Sequence, residues 1–347
     1  MDRKPPLKQK ITRIGYRLLV WFAWASVLTF FVWSIGALYY LTTIWYPLRV
    51  ILAAAYVIGA IVLFKRTPRR STWLAWVAAS ILVVYATTLT QQPSNDRDWA
   101  ADQVLAPEVS VSSDRNVRIT NLRHSLFRSE TDFDVRYRDF DFNLNELESV
   151  WFVVQKFTAL EGVAHTFISF ELKTPSGPQY FSVSVEVRRE EGEVYSPFRG
   201  LYRQYEVIYV VGDERDVIGQ RTVMRPTDRV HMYRVNATPA EVQELFLDVA
   251  KQIDKLNSQP EFYHTLLKNC TNEIVTHTYE LTPEPINWLD PRLVLPGFSG
   301  KFAFSQGLVG KPGQSFAQLQ QQCRIDEVAR EEGLTESFSE KIRQSQR

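Results

Sequence analysis

Only two cysteines, Cys270 and Cys323, occur in 347 residues, together with five histidines. No ligand spacing connects them, so the sequence offers no metal centre. Glycine-rich phosphate loops and internal repeats are absent too, and no cofactor motif is present. Acid is nearly missing from one end: residues 1–92 carry 11 Lys/Arg and a single acid, Asp2. The remainder therefore holds 29 basic against 38 acidic residues, a net of −9, the wrong sign for a nucleic-acid surface.

Charge is also missing from long runs. Leu18–Leu41 is 24 residues without a charge, and Ser71–Thr90 is 20 more. At about 1.5 Å per residue each crosses a bilayer core. Val50–Phe64 is only 15 residues and reaches a full span if Trp45–Leu48 join it and Arg49 snorkels. Its alternative is a re-entrant or interfacial segment. The expectation is a membrane anchor over 1–92 with three transmembrane helices, at about 18–41, 45–64 and 71–90. Several of the nine Trp stand near the ends of these runs, as at a membrane interface.

The basic residues orient the anchor. Arg3, Lys4, Lys8, Lys10, Arg13 and Arg17 precede the first run, and Lys65, Arg66, Arg69 and Arg70 lie between the second and third. The loop between the first and second has only Arg49. The positive-inside rule then places the N-terminus in the cytoplasm and everything after about residue 91 outside it. The first run is too long for a signal-peptide core and reads as an uncleaved anchor.

After the anchor comes an extracytoplasmic domain, 93–305, and a polar, helical C-terminal tail, 306–347, which contains Cys323. Alternation or β-branched and aromatic content marks strands at Val117–Leu122, Asp132–Tyr137, Val150–Phe157, Val163–Leu172, Tyr180–Arg188, Gln204–Gly212 and Val230–Val235. Thr174–Pro178 is a turn. Thr238-Pro239-Ala240-Glu241 is a capping box that opens a helix, with Val242, Leu245, Phe246, Val249, Ile253 and Leu256 at helical spacing. The fold class is α+β, an antiparallel sheet of five or so strands packed on helices. Asp213-Glu214-Arg215-Asp216 reads as a solvated turn rather than a metal site, since no histidine is near it in sequence.

Asn269-Cys270-Thr271-Asn272-Glu273 is where chemistry concentrates. Asn269 is an N-cap type, and Ile274, Val275, Thr278 and Leu281 then fall on one side of a short helix. Cys270 in the first turn meets unpaired N–H groups and the positive end of the dipole, a setting that favours thiolate. The same N–H groups, those of Cys270 and Thr271 with the Asn269 side chain, suit an oxyanion. The plainer reading is a small buried apolar residue, or a disulfide with Cys323 in an oxidising compartment.

Among His124, His165, His231, His264 and His277, the base is best sought at His165. His277 is seven residues along the same helix, about 10 Å away, too far to take the proton. His165 lies mid-strand, and a hairpin centred on Pro175–Ser176 puts Glu186 opposite it, with Ser184 one pair away. That supplies a third polar group for a Cys–His pair. The alternatives are a core histidine bonded to a carbonyl and a solvent-facing Glu186.

At these residues the sequence resembles the Lnb N-terminal periplasmic domain family. The resemblance is carried by Asp132-Phe133-Asp134-Val135-Arg136-Tyr137, Ala164-His165-Thr166-Phe167-Ile168-Ser169-Phe170, Arg203-Gln204-Tyr205-Glu206, Asp213-Glu214-Arg215-Asp216 and the run Phe262–Asn272, over roughly 93–305. The family takes its name from a bacterial lipoprotein N-acyltransferase. The resemblance implies Cys270 as nucleophile and His165 as base, moving an acyl chain onto an amine. The order of His and Cys is similar to that of the permuted papain-like lecithin–retinol acyltransferase group, with the thiol on a helix start and the His on the sheet. The implied function is a membrane-anchored thiol acyltransferase, with Glu186 or Ser184 holding the imidazole and a phospholipid or lipoprotein as substrate. Two other readings stay open, a thiol hydrolase of cell-wall peptide or amide bonds and a non-catalytic membrane-anchored binding domain.

Overall fold

The computed structural model describes residues 7–157, 160–278, 285–288 and 290–346. Arg3, Lys4 and Leu281 of the sequence reading lie outside the described residues. The chain forms two compact units, residues 1–93 with 197–204, and residues 94–196 with 205–347.

The first unit is helical: α1 (Leu7–Tyr39), α2 (Tyr46–Arg66) and α3 (Arg70–Thr88). Each contains a stretch long and apolar enough to cross a membrane, the middle one included. Leu19, Trp21, Phe22, Ile58 and Leu82 point outward and exposed, as lipid-facing side chains would. Between the helices, Trp24 stacks on Trp73 at 5.5 Å and Tyr56 meets Ser80 at 3.0 Å. Segment 197–204 packs on this unit through Tyr202, whose ring lies 5.1 Å from Tyr40 and 6.1 Å from Trp33. Gly36 makes that approach possible, because a Cβ there would sit 2.3 Å from the Tyr202 hydroxyl.

The second unit is a mixed sheet covered by helices on both faces, so the fold is α+β. Its first strands are β1 (Glu108–Val111), β2 (Asn116–Arg123), a small ribbon of β3 (Leu126–Phe127) and β4 (Phe133–Asp134), and β5 (Tyr137–Asn143). The centre is built from β6 (Leu147–Lys156), β7 (Ala164–Thr174), β8 (Gly177–Arg188) and β9 (Glu206–Gly212), followed by α4 (Glu214–Thr222) and β10 (Arg229–Arg234). The order is β1-β2-β9-β8-β7-β6-β10, with β5 on β2. The expected antiparallel sheet is corrected in one place, since β2 meets β9 in parallel at Arg123 and Gly212. The single strand expected over Asp132–Tyr137 is divided between the β4 ribbon and the start of β5.

On one face lies α5 (Pro239–Ser258), started by the Thr238/Glu241 capping box, with Val242, Leu245, Phe246, Val249, Ile253 and Leu256 buried. Beside it is α6 (Cys270–His277), then the short helices α7 (Pro291–Val294) and α8 (Ser299–Ser305). On the other face α4 packs with α10 (Asp326–Glu332) and α11 (Phe338–Lys341), while α9 (Phe316–Gln322) precedes them in the chain. Val217, Ile218, Ile325, Ala329, Phe338 and Ile342 join Trp151, Val153 and Phe167 in this second core.

Two sequence readings change here. Asp213–Asp216 is not a solvated turn: Asp213 caps α4, and Glu214 and Asp216 are buried. Buried Arg343 pairs with Glu214 at 2.5 Å, and Arg123 with Asp216 at 2.8 Å, which is what allows the carboxylates inside. Arg343, Ile325 and Phe338 come from the stretch read as a polar tail. Their burial makes 306–346 part of the same compact unit as the sheet.

Candidate active site

The β7–β8 hairpin turns at Thr174 and Gly177, where Gly177 adopts φ 118°, a conformation open to glycine. The register runs from that turn to Ile168 and Val183 and then stops. Continued, it would set His165 opposite Glu186; instead the two strands part, while β8 stays paired with β9 through Arg188. His165 and Phe167 belong to the strand face toward α4, and Thr166 and Ile168 to the face toward α6.

The thiol comes from the first residue of α6. Asn269 has an extended backbone and its Oδ1 accepts from the N–H groups of Thr271 and Asn272, each at 3.0 Å. Its Nδ2 donates to the Thr265 carbonyl at 2.9 Å. Both ends of the Asn269 side chain are thus used in fixing the helix start, and the Thr271 N–H is committed to the cap. The loop before it is equally ordered: His264 Nδ1 accepts from Leu266 and Leu267, each at 3.2 Å. Thr271 Oγ1 lies 3.0 Å from Thr166 Oγ1, tying α6 to β7 beside the sulfur.

His165 and Thr166 lie close enough to Cys270 to act on its charge, and the sulfur is 4.0 Å from Thr271 Oγ1. His165 Nε2 is 2.7 Å from Ser184 Oγ and 3.3 Å from Glu186 Oε1. The Ser184 hydroxyl donates to the same Glu186 oxygen at 2.7 Å. With Nε2 so engaged, Nδ1 is the ring nitrogen left for the sulfur. Burial alone would push the thiol up, but the imidazolium and Thr166 outweigh it and bring Cys270 down to about 7. For His165 burial would lower the pKa; Glu186 and the thiolate raise it to about 9. Glu186 is held well below the usual carboxylate range by His165 and Arg221, against the cost of its burial. These opposed shifts favour a thiolate–imidazolium pair.

Cys270, His165, Glu186 and Ser184, widely separated in sequence, are therefore brought together, and Asn269 and Thr271 shape the helix start. His277 is elsewhere, its Nδ1 2.7 Å from Asp248 and its Nε2 2.7 Å from Tyr209. His231 sits in β10, where burial lowers its pKa to about 4. Both cysteines are free thiols, so the expected alternative of a Cys270–Cys323 disulfide does not hold. No cluster of metal-ligating side chains occurs among the described residues.

Sequence reasoning missed three neighbours. Arg221 on α4 bonds Glu186 through Nη2. An N-cap Asp with acids in the first turn signalled that helix but was read as a turn. Burial raises Tyr195 and Tyr263, and both feel the charge of Cys270; no local pattern marks them. Beside Tyr195 and the α6 loop, Val194, Leu266 and Leu267 stand exposed. One turn beyond the thiol, a small apolar cavity of about 40 Å³ lies against α6. Phe152, Ile168, Ile274, Val275, Phe302 and Val309 are among its walls.

No curated protein and no solved structure matches this chain. A family model does, over a stretch that begins within β4 and includes His165, Ser184, Glu186, Arg221 and Cys270. Residues 134–295 of this protein match the Lnb N-terminal periplasmic domain.

Proposed function

We propose that this protein is a membrane-anchored thiol acyltransferase that takes an acyl chain from a lipid or lipoprotein ester. The observation that carries the reading is Cys270 at a helix start, set against His165 with Ser184 and Glu186 behind the ring. The match to a periplasmic domain, the three membrane-crossing helices and the basic loops support a site outside the cytoplasmic face of a bacterial inner membrane.

In this mechanism the Cys270 sulfur attacks the ester carbonyl carbon, forming a C–S bond. The Cys270 N–H and the α6 dipole stabilise the oxyanion. The C–O bond then breaks, and the leaving alkoxide takes the proton of the His165 imidazolium. An incoming amine attacks the thioester, His165 accepts its proton, and the thiolate leaves. Ser184 and Glu186 hold the ring through both steps. The exposed Val194, Leu266 and Leu267 beside the site favour an acyl chain over a cell-wall peptide, which would call for polar surroundings.

The test is the intact mass of protein purified from native membranes, beside Cys270→Ala. The expected result is a hydroxylamine-sensitive fatty-acyl mass that the variant lacks. A thiol that is never acylated, and that resists alkylation, would sink the reading in favour of a binding domain.

A further inference from the structure

We infer that Arg221 is a positioning residue whose fixed positive charge balances Glu186, so that the buried site holds thiolate, imidazolium, carboxylate and guanidinium as a neutral set. The inference rests on the Cys–His reading above and adds a member that the dyad and its orienters do not require.

The geometry is specific. Arg221 stands in the last turn of α4 and is buried: its side chain is 6% exposed, its Nη1 donates to the Val217 carbonyl at 2.7 Å, and its Nη2 donates to Glu186 Oε1. Its guanidinium carbon stands 5.1 Å from the centre of the Phe167 ring, on the strand that carries His165. Glu186 Oε1 thus receives Arg221 and Ser184 and faces His165 at 3.3 Å. Without a permanent cation, a buried thiolate, imidazolium and carboxylate would carry net negative charge, and a low-polarity site relieves that by taking a proton. Removing a positive charge raises the pKa of every neighbouring acid, so the thiol would move up.

The other charges around the cluster are already matched. Arg123, from β2, faces Asp216 at 2.8 Å and Asp102 at 3.7 Å. Arg225 faces Glu130 at 3.0 Å. Tyr263 and Tyr195 flank Cys270 with pKa values raised by burial, so they stay neutral. Among the described residues no second carboxylate replaces Glu186 as the partner of Arg221: the other carboxylate that acts on it, Asp216, is held by Arg123.

The experiment is the pH profile of Cys270 modification by methyl methanethiosulfonate, followed by mass, in the full-length chain in detergent. The series is wild type, Arg221→Gln, Arg221→Lys and the double variant Glu186→Gln/Arg221→Gln. Wild type should titrate near pH 7. Arg221→Gln should move the midpoint up by about one unit or more, cutting reactivity at pH 7 roughly five-fold. Arg221→Lys should restore most of it by charge. The double variant should return toward wild type, because both buried charges leave together. The double and Lys variants guard against simple misfolding, since neither leaves an unpaired buried charge. An unmoved midpoint in Arg221→Gln, or a Lys variant displaced as far as Gln, overturns the inference while leaving the dyad intact. A wild-type Cys270 that shows no thiolate at any pH overturns the dyad and this inference together.

Discussion

Cys270 and Cys323 are both buried and both unpaired, yet they are opposites. Cys323 ends α9, where its thiol donates to Gln346 Oε1 at 3.3 Å, and burial pushes it up to about 12. Cys270 is buried as well but starts a helix, lies beside an imidazole and is brought down to about 7. Burial is common to the two, so burial is not what separates them. The difference is the charge and the donors that face the sulfur. A lone buried thiol has no reason to ionise, while one placed against His165 gains a counter-ion that water would otherwise supply.

The largest change should come from removing that counter-ion. His165→Gln should return the thiol toward its ordinary pKa, lowering Cys270 alkylation at pH 7 by about 50-fold, while Cys323 stays unreactive in both proteins. Peptide mass mapping of the alkylated protein reads both thiols at once. If Cys270 kept its reactivity, the contrast between the two sulfurs would have another origin.

The pair also links folding to pH. The Cys270 pKa is depressed, so its contribution to stability is present above the ordinary thiol value and is lost as pH falls through about 7. The His165 pKa is raised, so its contribution is complete below the ordinary imidazole value and is lost as pH rises through about 9. The intact pair therefore occupies the window between about 7 and 9. The melting-temperature gap between wild type and Cys270→Ala should be most favourable to wild type inside that window and shrink on either side. For Cys323→Ala, whose thiol is raised by burial, the gap should be flat below the ordinary thiol value and fall above it, with no maximum in the window.

A smaller effect is expected at Asn269. Asn269→Ala removes the cap acceptor for two N–H groups and should cost about 1 kcal/mol of stability, with a higher thiol midpoint as the first turn loosens. Chemical denaturation and the alkylation profile measure the two parts. Smallest of all, Thr166→Val keeps the side-chain shape but removes a hydroxyl shared with Thr271, at a cost of about 1 kcal/mol and a slight rise in the thiol midpoint.

How far the site could be read from the chain depends on the range of the signal. The helix start at Cys270 was legible because Asn269 is a cap and the apolar spacing follows at once. Glu186 opposite His165 was legible because a short turn fixes hairpin register, and Thr174 indeed faces Gly177. The parting of the strands beyond Ile168 was not, since nothing local announces where a ladder stops. Arg221 was hidden for a second reason. A charged residue in a polar-looking stretch reads as solvent-facing, and only the helices packed over α4 turn that stretch inward.

What the sequence by itself determined is the set of elements whose causes are local: three apolar helices long enough to cross a bilayer, the capped and striped α5, the central hairpin and a thiol at a helix N-terminus. Their periodicity, caps and turn residues act within a few positions of one another. Only the tertiary structure decided that β2 would meet β9 in parallel, that the last forty or so residues would close the second core, and that Cys270 would come beside His165. Those outcomes join residues a hundred positions apart, and they are set by which buried charges find partners and which faces are covered.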